Sequence, residues 1–455
     1  MNKTKKAIIS GAGLVGSLWA LLLARKGYEV DVFERRDDGR KRGFVGGRSI
    51  NLALSDRGWR ALDRAGISRT IRQMAIPMYG RMIHHEDGSL SFQPYGLDGQ
   101  AIWSVSRAGL NMALIDAAEQ HDQIHFHFRQ KTVEVDLAHN ALYIEHEDEY
   151  QRHEAPLIFG ADGAFSAVRH ALMKTPRFNY CQDYLDYGYK ELTIPPAPDG
   201  SHRLEPNALH IWPRHQFMLI ALPNKDGSFT CTLFLPFEGE LSFEVLQRER
   251  DVRIFFDKYF LDVVPHLPLL TEEFFKNPTG TLVTIRCKPW HYQHRVLLIG
   301  DAAHAIVPFY GQGMNAGFED CSILDELMEQ HGEDWHAIID HFNATRVRDG
   351  HAIANLALRN FVEMRDRVAD SKFLLRKQIE KYLHERHPDR FIPIYSMVTF
   401  SHLPYHQALE QWEVQDHLFE RILAIPGVDQ NWEAHTDQIE RVFQEWLVHS
   451  SASRM

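Results

Sequence analysis

Three glycine-and-acid stretches are the places where this chain could do chemistry. In "SGAGLVGSLWALLLAR", Gly11, Gly13 and Gly16 form G-x-G-x-x-G between an apolar strand and an apolar helix. Glycines at that spacing permit a tight turn and close approach of a pyrophosphate, which the helix N-terminus meets with unpaired N–H groups. Glu34 closes the next strand, "YEVDVFE", and is placed to accept a hydrogen bond from a ribose hydroxyl. A carboxylate there disfavours a 2′-phosphate, so NAD or FAD fits and NADP fits badly. The plainer alternative is a tight helix-packing turn in an α/β fold.

Two further stretches repeat the rhythm. "APLIFGADGAFSAVRHAL" (155–172) runs from a strand through Gly160, Asp162 and Gly163 into a helix starting near Ser166. "RVLLIGDAAHAIVPFYGQGMNAGFEDC" (295–321) does the same with Gly300 and Asp301. Two strands that each deliver an acid at a sheet's C-terminal edge suggest one crevice lined from separate parts of the chain. A simple NAD dehydrogenase needs only the first stretch. Asp301 could accept from a ribityl hydroxyl. Gly311, Gly313 and the N–H groups near Asn315 could stabilise negative charge on a reduced flavin.

Other reactive residue types read more plainly. Of the 27 histidines, those in "HHEDG" (84–88) adjoin a hairpin turn, "HFHF" (125–128) alternates along a strand, and His402 and His406 flank Pro404. None brings H-E-x-x-H or a convincing third ligand, so no metal site is expected. His304 is expected to be structural. Glu319 and Asp320, in "FED", are expected to be surface or helix-contact residues. Cys321 is expected in the core.

The elements that must position these residues suggest an α/β fold with a discontinuous Rossmann-like dinucleotide-binding domain over 1–70, 101–178 and 281–370. An antiparallel-sheet substrate domain is expected from 71–100 and 179–280, where short aromatic and β-branched runs are broken by N-K-D-G. From 371 to 455, "SKFLLRKQIEKYLHERHP" and two later amphipathic runs predict a C-terminal helical region. The 455 residues are 44% hydrophobic and carry a formal net charge of −11, which makes nucleic acid a poor partner. The N-terminus reads as a strand rather than a signal peptide, and no apolar run reaches the roughly 18 residues of a membrane span. Four unclustered cysteines fit a cytoplasmic enzyme without disulfides.

The three glycine-and-acid stretches together resemble the FAD-dependent aromatic hydroxylases, a class of flavin monooxygenases. "GRSINLALSDRGWRAL" (47–62), "YGRMIHHEDG" with "QPYG" (79–96) and "LRNFVEMRDRVAD" (358–370) are similar to one family within it, the kynurenine 3-monooxygenases. The resemblance implies non-covalent FAD, NADPH and O2, with C4a-hydroperoxyflavin hydroxylating L-kynurenine at C3. It implies Glu34 at the adenosine ribose, Arg107 on the flavin side, Asp162 at the junction of cofactor site and sheet, Asp301 at the ribityl chain, and Gly313, Met314 and Asn315 at the isoalloxazine. For the substrate it implies Arg81 and Tyr95 at the carboxylate, Asn360 assisting and Tyr395 reaching in. Pro308 and Phe309 would lie over the flavin-facing side, and an aromatic from the 229–237 run, Phe229 or Phe234, would line the ring pocket. No side chain is implied as an obligatory acid or base. Related eukaryotic enzymes carry a C-terminal membrane anchor that "LVHSSASRM" does not resemble. The competing readings are a phenolic hydroxylase, a flavin oxidase or dehydrogenase, and a non-catalytic flavin-binding module.

Overall fold

The computed structural model describes residues 5–42, 51–97, 99–367 and 370–452. Residues 47–50, 368–369 and 453–455 of the segments quoted above therefore lie outside the described residues. The first strand, Lys6–Ser10, is buried at every position but Lys6. That continuous apolar run suits a central parallel strand covered on both faces. It pairs in parallel with Glu29–Glu34 on one side and Leu157–Gly160 on the other. The six-stranded order is His291–Tyr292, Val296–Leu298, Leu157–Gly160, Lys6–Ser10, Glu29–Glu34 and Ile124–Phe128. Helix Leu14–Arg25 buries Leu18, Trp19 and Leu22, and packs with helices Arg107–Ala118 and Gly313–His331.

This topology brings the three turns to one sheet edge. Gly11 N–H donates to Phe33 O at 2.7 Å, Ala161 N–H to Ser10 O at 2.9 Å, and Ile299 N–H to Gly160 O at 3.0 Å. The backbones of adjacent turns are thus held together although they are far apart in sequence.

A seven-stranded sheet stands over that edge, in the order Gly280–Lys288, Asn179–Ile194, Phe229–Pro236, Phe217–Pro223, Ala208–Arg214, Gly80–His84 and Leu90–Pro94. Its pairs are antiparallel except Ala208–Arg214 with Gly80–His84. One face buries Trp212, Phe217 and Phe229 against Phe255, Phe256 and Phe274 of helices Glu249–Tyr259 and Leu270–Lys276. The other face looks toward the cofactor edge. The segment 71–100 divides: Gly80–His84 and Leu90–Pro94 join this sheet, whereas Ile76–Met78 pairs with Ile102–Ser106 in a small sheet that also holds Asn51–Leu54.

Helices Ser371–Arg386, Tyr405–Leu423 and Thr436–Ala452 share an apolar core that includes Ile379, Leu383, Phe419 and Phe443. No helix among the described residues is long and apolar enough to cross a membrane.

Of the two expectations for Glu319 and Asp320, surface or helix contact, the structure takes the second: they are 3% and 0% exposed and face Arg346 of the next helix. Arg57 hydrogen-bonds Glu319. Arg346 reaches Glu319 at 2.8 Å and Asp320 at 2.9 Å, and His304 Nε2 meets Asp320 at 2.6 Å. Burial pushes the Asp320 carboxyl up, but the charges of His304 and Arg346 hold it below the usual carboxylate range. Asp320 also accepts from Gly300 N–H at 2.9 Å, which ties the third turn to helix Gly313–His331.

Candidate active site

A cavity of about 610 Å³ runs from the cofactor edge to the inner face of the seven-stranded sheet. Gly11, Gly13 and Glu34 line it at the parallel sheet. Gly11 has φ +103°, and a Cβ there would come within 2.5 Å of Ala161 O. At Gly13 a Cβ would meet nothing within 4 Å, so the backbone faces open space. Gly16 is not on the wall. A Cβ there would lie 2.0 Å from Gly11 O, so this glycine seats the helix against the turn. Glu34 is fixed by Ala12 N–H at 3.0 Å and Arg36 N–H at 2.9 Å.

Asp162 lines the same cavity and accepts from Ala167 N–H at 2.7 Å, while its Oδ1 is buried without a hydrogen-bond partner. Burial raises its carboxyl pKa. Asp301 is exposed to the cavity at the start of helix Asp301–His304. Gly313 and Met314 line the wall, but Asn315 does not. Its side chain is fully buried, accepts from Ser55 N–H at 2.9 Å, and donates to Ala53 O at 2.8 Å and Gly311 O at 2.7 Å. It therefore shapes the Gly311 turn, at φ +68°, from behind. Arg107 opens helix Arg107–Ala118 and lines the cavity. Glu191 was not anticipated from sequence. Burial pushes its carboxyl up to about 7, with the Arg107 charge opposing.

The other part of the cavity is aromatic. Phe234, Pro308, Phe309, Tyr95 and Tyr395 line it. The Phe234 and Phe309 ring centroids are 4.9 Å apart, and Phe309 stacks on Phe361 at 4.1 Å. Phe229 is excluded. It lies five residues from Phe234, and side chains alternate along a strand, so it points into the core on the far face. Tyr95 stacks on Tyr395 at 5.1 Å, and Tyr310 on Tyr395 at 5.7 Å. The Arg81 guanidinium carbon lies 5.0 Å from the Tyr395 ring centroid and 5.6 Å from that of Tyr95. Arg81 Nε and Tyr95 Oη are both buried without a hydrogen bond of good geometry, although the two side chains lie within hydrogen-bonding reach of each other.

Asn360 is placed behind this wall. Its Nδ2 donates to Phe309 O at 2.7 Å, so it braces the aromatic lid. It lines an adjoining cavity of about 480 Å³ that shares Arg81, Tyr95, Tyr310 and Tyr395 with the first. Glu363 also lines this second cavity and acts electrostatically on Arg81. Its sequence signal is the three-residue spacing from Asn360, one turn along a helical surface.

The groups fit a flavin dinucleotide. An open glycine cradle faces the cavity, an acid is locked at the end of the second strand, and Asp162 keeps an unpaired buried oxygen. Backbone and acid turns from three chain segments meet around a space broad enough for a ring system.

Comparison with known proteins agrees. The family described as "FAD binding domain" matches residues 4–216 and 261–355. The chain is 50% identical over 436 residues to a kynurenine 3-monooxygenase of Christiangramia forsetii, covering 95% of this chain and 97% of that one. It is 46% identical over 419 residues to a kynurenine 3-monooxygenase of Sus scrofa, covering 91% of this chain and 88% of that one. Among solved structures, 2-methyl-3-hydroxypyridine-5-carboxylic acid oxygenase superposes with a TM-score of 0.67 at 19% identity, over 83% of this chain and 96% of that one, and shares the fold. Near-full-length identity of this order, joined to the FAD-binding domain, places the chain in the kynurenine 3-monooxygenase family of FAD-dependent monooxygenases.

Proposed function

We propose that the protein hydroxylates L-kynurenine at C3 of its aromatic ring. NADPH supplies two electrons and O2 supplies the oxygen. One atom of O2 enters 3-hydroxy-L-kynurenine, the other leaves as water with the hydride of NADPH and one proton from solvent, and NADPH becomes NADP⁺. When bound, FAD supplies the hydride acceptance and oxygen activation that no side chain can provide.

The chain's own residues bind and orient. Glu34 accepts from the adenosine ribose, the Gly11–Gly13 turn meets the pyrophosphate, and Asp301 accepts from the ribityl chain. Arg107, Asp162, Gly313 and Met314 border the flavin, with Asn315 and Gly16 fixing the backbone around it. Phe234, Pro308 and Phe309 clasp the substrate ring and exclude water. Arg81 and Tyr95 take its carboxylate, Tyr395 closes over that end, and Asn360 holds Phe309 in place. The ring's own amino group, ortho to C3, activates the attacked carbon, so the protein need not supply a base. The sheet over 179–280 with strands from 71–100 forms the substrate roof, and 371–455 the helical closure.

The observation that carries this reading is the pair of unsatisfied polar atoms, Arg81 Nε and Tyr95 Oη, buried beside an aromatic-walled cavity. Unpaired buried donors cost stability unless an acceptor arrives, and a planar guanidinium matches a carboxylate. The test is mass analysis of product from kynurenine, NADPH and ¹⁸O2. A product heavier by one ¹⁸O with stoichiometric NADPH use is expected. NADPH oxidation yielding only H2O2, or faster coupled turnover of a hydroxybenzoate, would reject it.

A further inference from the structure

The geometry points to a divalent transition-metal site formed by His291, His294 and Asp340, none of which lines the two cavities described above. His294 Nε2 lies 2.7 Å from Asp340 Oδ1, and one ligand atom from each of the three residues falls within 4.8 Å of the others. The His291 and His294 rings are 5.0 Å apart. His291 Nδ1 is buried without a hydrogen-bond partner, so one donor nitrogen is left over by the fold.

The two elements that supply these groups have metal-ligand spacing. The hairpin contributes H-x-x-H at 291–294, and helix Trp335–Val362 carries His336 and Asp340 four residues apart on one face. The His336 ring lies 4.4 Å from that of His294, which makes it a reachable fourth donor. Gln293 and His294 hold φ +45° and +54°, a left-handed conformation that bulky side chains rarely adopt. The hairpin is already tied to the same helix by Trp290 N–H donating to Asn343 Oδ1 at 2.8 Å.

Imidazole nitrogens with one carboxylate oxygen suit Zn²⁺ and Ni²⁺, whereas Mg²⁺ and Ca²⁺ prefer all-oxygen shells. On binding, the cation replaces the proton shared by His294 Nε2 and Asp340. The bound ion clamps the hairpin to the helix. Because this hairpin runs directly into strand Val296–Leu298 and the Gly300–Asp301 turn, the clamp steadies the strand that delivers Asp301.

The test uses the FAD-loaded protein, stripped with a chelator and titrated with ZnCl2 by calorimetry, with thermal unfolding in parallel. NiCl2 and MgCl2 serve as comparators, and His294→Asn and Asp340→Asn as variants. One Zn²⁺ per chain and a raised Tm are expected, with Ni²⁺ following and Mg²⁺ without effect. Each variant should weaken Zn²⁺ binding by roughly ten-fold or more and lose the Tm rise, with its flavin absorbance unchanged. Asp340 is exposed, so Asp340→Asn keeps its fold and decides the matter if His294→Asn does not. No Zn²⁺ uptake at micromolar concentration overturns the inference. So does equal uptake by wild type and Asp340→Asn, which would assign binding to other histidines, and so does an equal Tm rise with Mg²⁺.

Discussion

Arg81 is the residue whose surroundings most clearly call for a ligand, because its Nε is buried and unpaired between two tyrosines. Arg81→Ala is expected to weaken kynurenine binding by about 30- to 150-fold, the loss of a charge-assisted fork worth about 2–3 kcal/mol. Flavin content should not change, and kynurenine titration followed by flavin absorbance reads both at once. Unchanged affinity would remove Arg81 from the site. Glu191 offers a second residue-scale test. Its carboxyl is raised from 4.5 to about 7, chiefly by burial, so the fold holds this proton more tightly than the unfolded chain does. Below the ordinary value both states are protonated and the group costs nothing. Between the ordinary value and about 7 the unfolded chain releases the proton while the folded protein keeps it, so stability falls across that window and levels off above it. Glu191→Gln should therefore gain on wild type in urea midpoint between about pH 5 and pH 8. A constant difference across that range would show that Glu191 ionises normally.

At the scale of elements, the buried charges tie two consecutive helices to each other and to a third that lies far back in the sequence. Arg346, on helix Trp335–Val362, pairs with Glu319 and Asp320 on helix Gly313–His331, and Arg57, on helix Asp56–Ala65, pairs with Glu319 from the other side. Removing one member leaves uncompensated buried charge, so Arg346→Ala should cost about 3–5 kcal/mol by urea unfolding. A loss below about 1 kcal/mol would mean that water or repacking replaces the arginine. The same network shows why some of the site was legible in sequence and some was not. The Gly11–Glu34 unit is local, with every part within one strand–turn–helix–strand run, and its residues stand at the cavity apart from Gly16. The role of "FED" depends on two arginines brought in by tertiary packing, so a helix pattern alone left surface and helix contact both open. Phe229 and Phe234 could have been separated by parity, but which parity faces inward depends on where the covering helices Glu249–Tyr259 and Leu270–Lys276 lie. The "HYQH" of 291–294 became visible as a cluster only when its hairpin met Asp340.

Across the whole molecule, the C-terminal helices are part of the structure that the site requires. Tyr395, in helix Ile394–Thr399, completes the aromatic stack with Tyr95 and Tyr310. The carbonyls of Val398 and Leu403 accept from Arg57, Tyr405 Oη donates to Gln312, and His406 meets Asp349 at 2.7 Å. A chain cut after Asp370 therefore loses more than a lid. Arg57 keeps Glu319 but loses its three carbonyl acceptors, Met397, Val398 and Leu403, and the Tyr405 ring that covers its guanidinium. Water then reaches the Arg57–Glu319 pair, and a domain whose total stability is about 5–15 kcal/mol loses the packing that sheltered it. The apolar surface under Met397, Val398 and Tyr405 is uncovered as well. The full-length protein is accordingly expected to unfold in one thermal transition, with flavin release and loss of helical circular dichroism coincident. The truncated chain is expected to lose flavin and precipitate or expose apolar surface to dye. A soluble truncated chain that keeps FAD with the full-length affinity would show that the two parts fold independently, and the C-terminal region would then be an accessory to the substrate site alone.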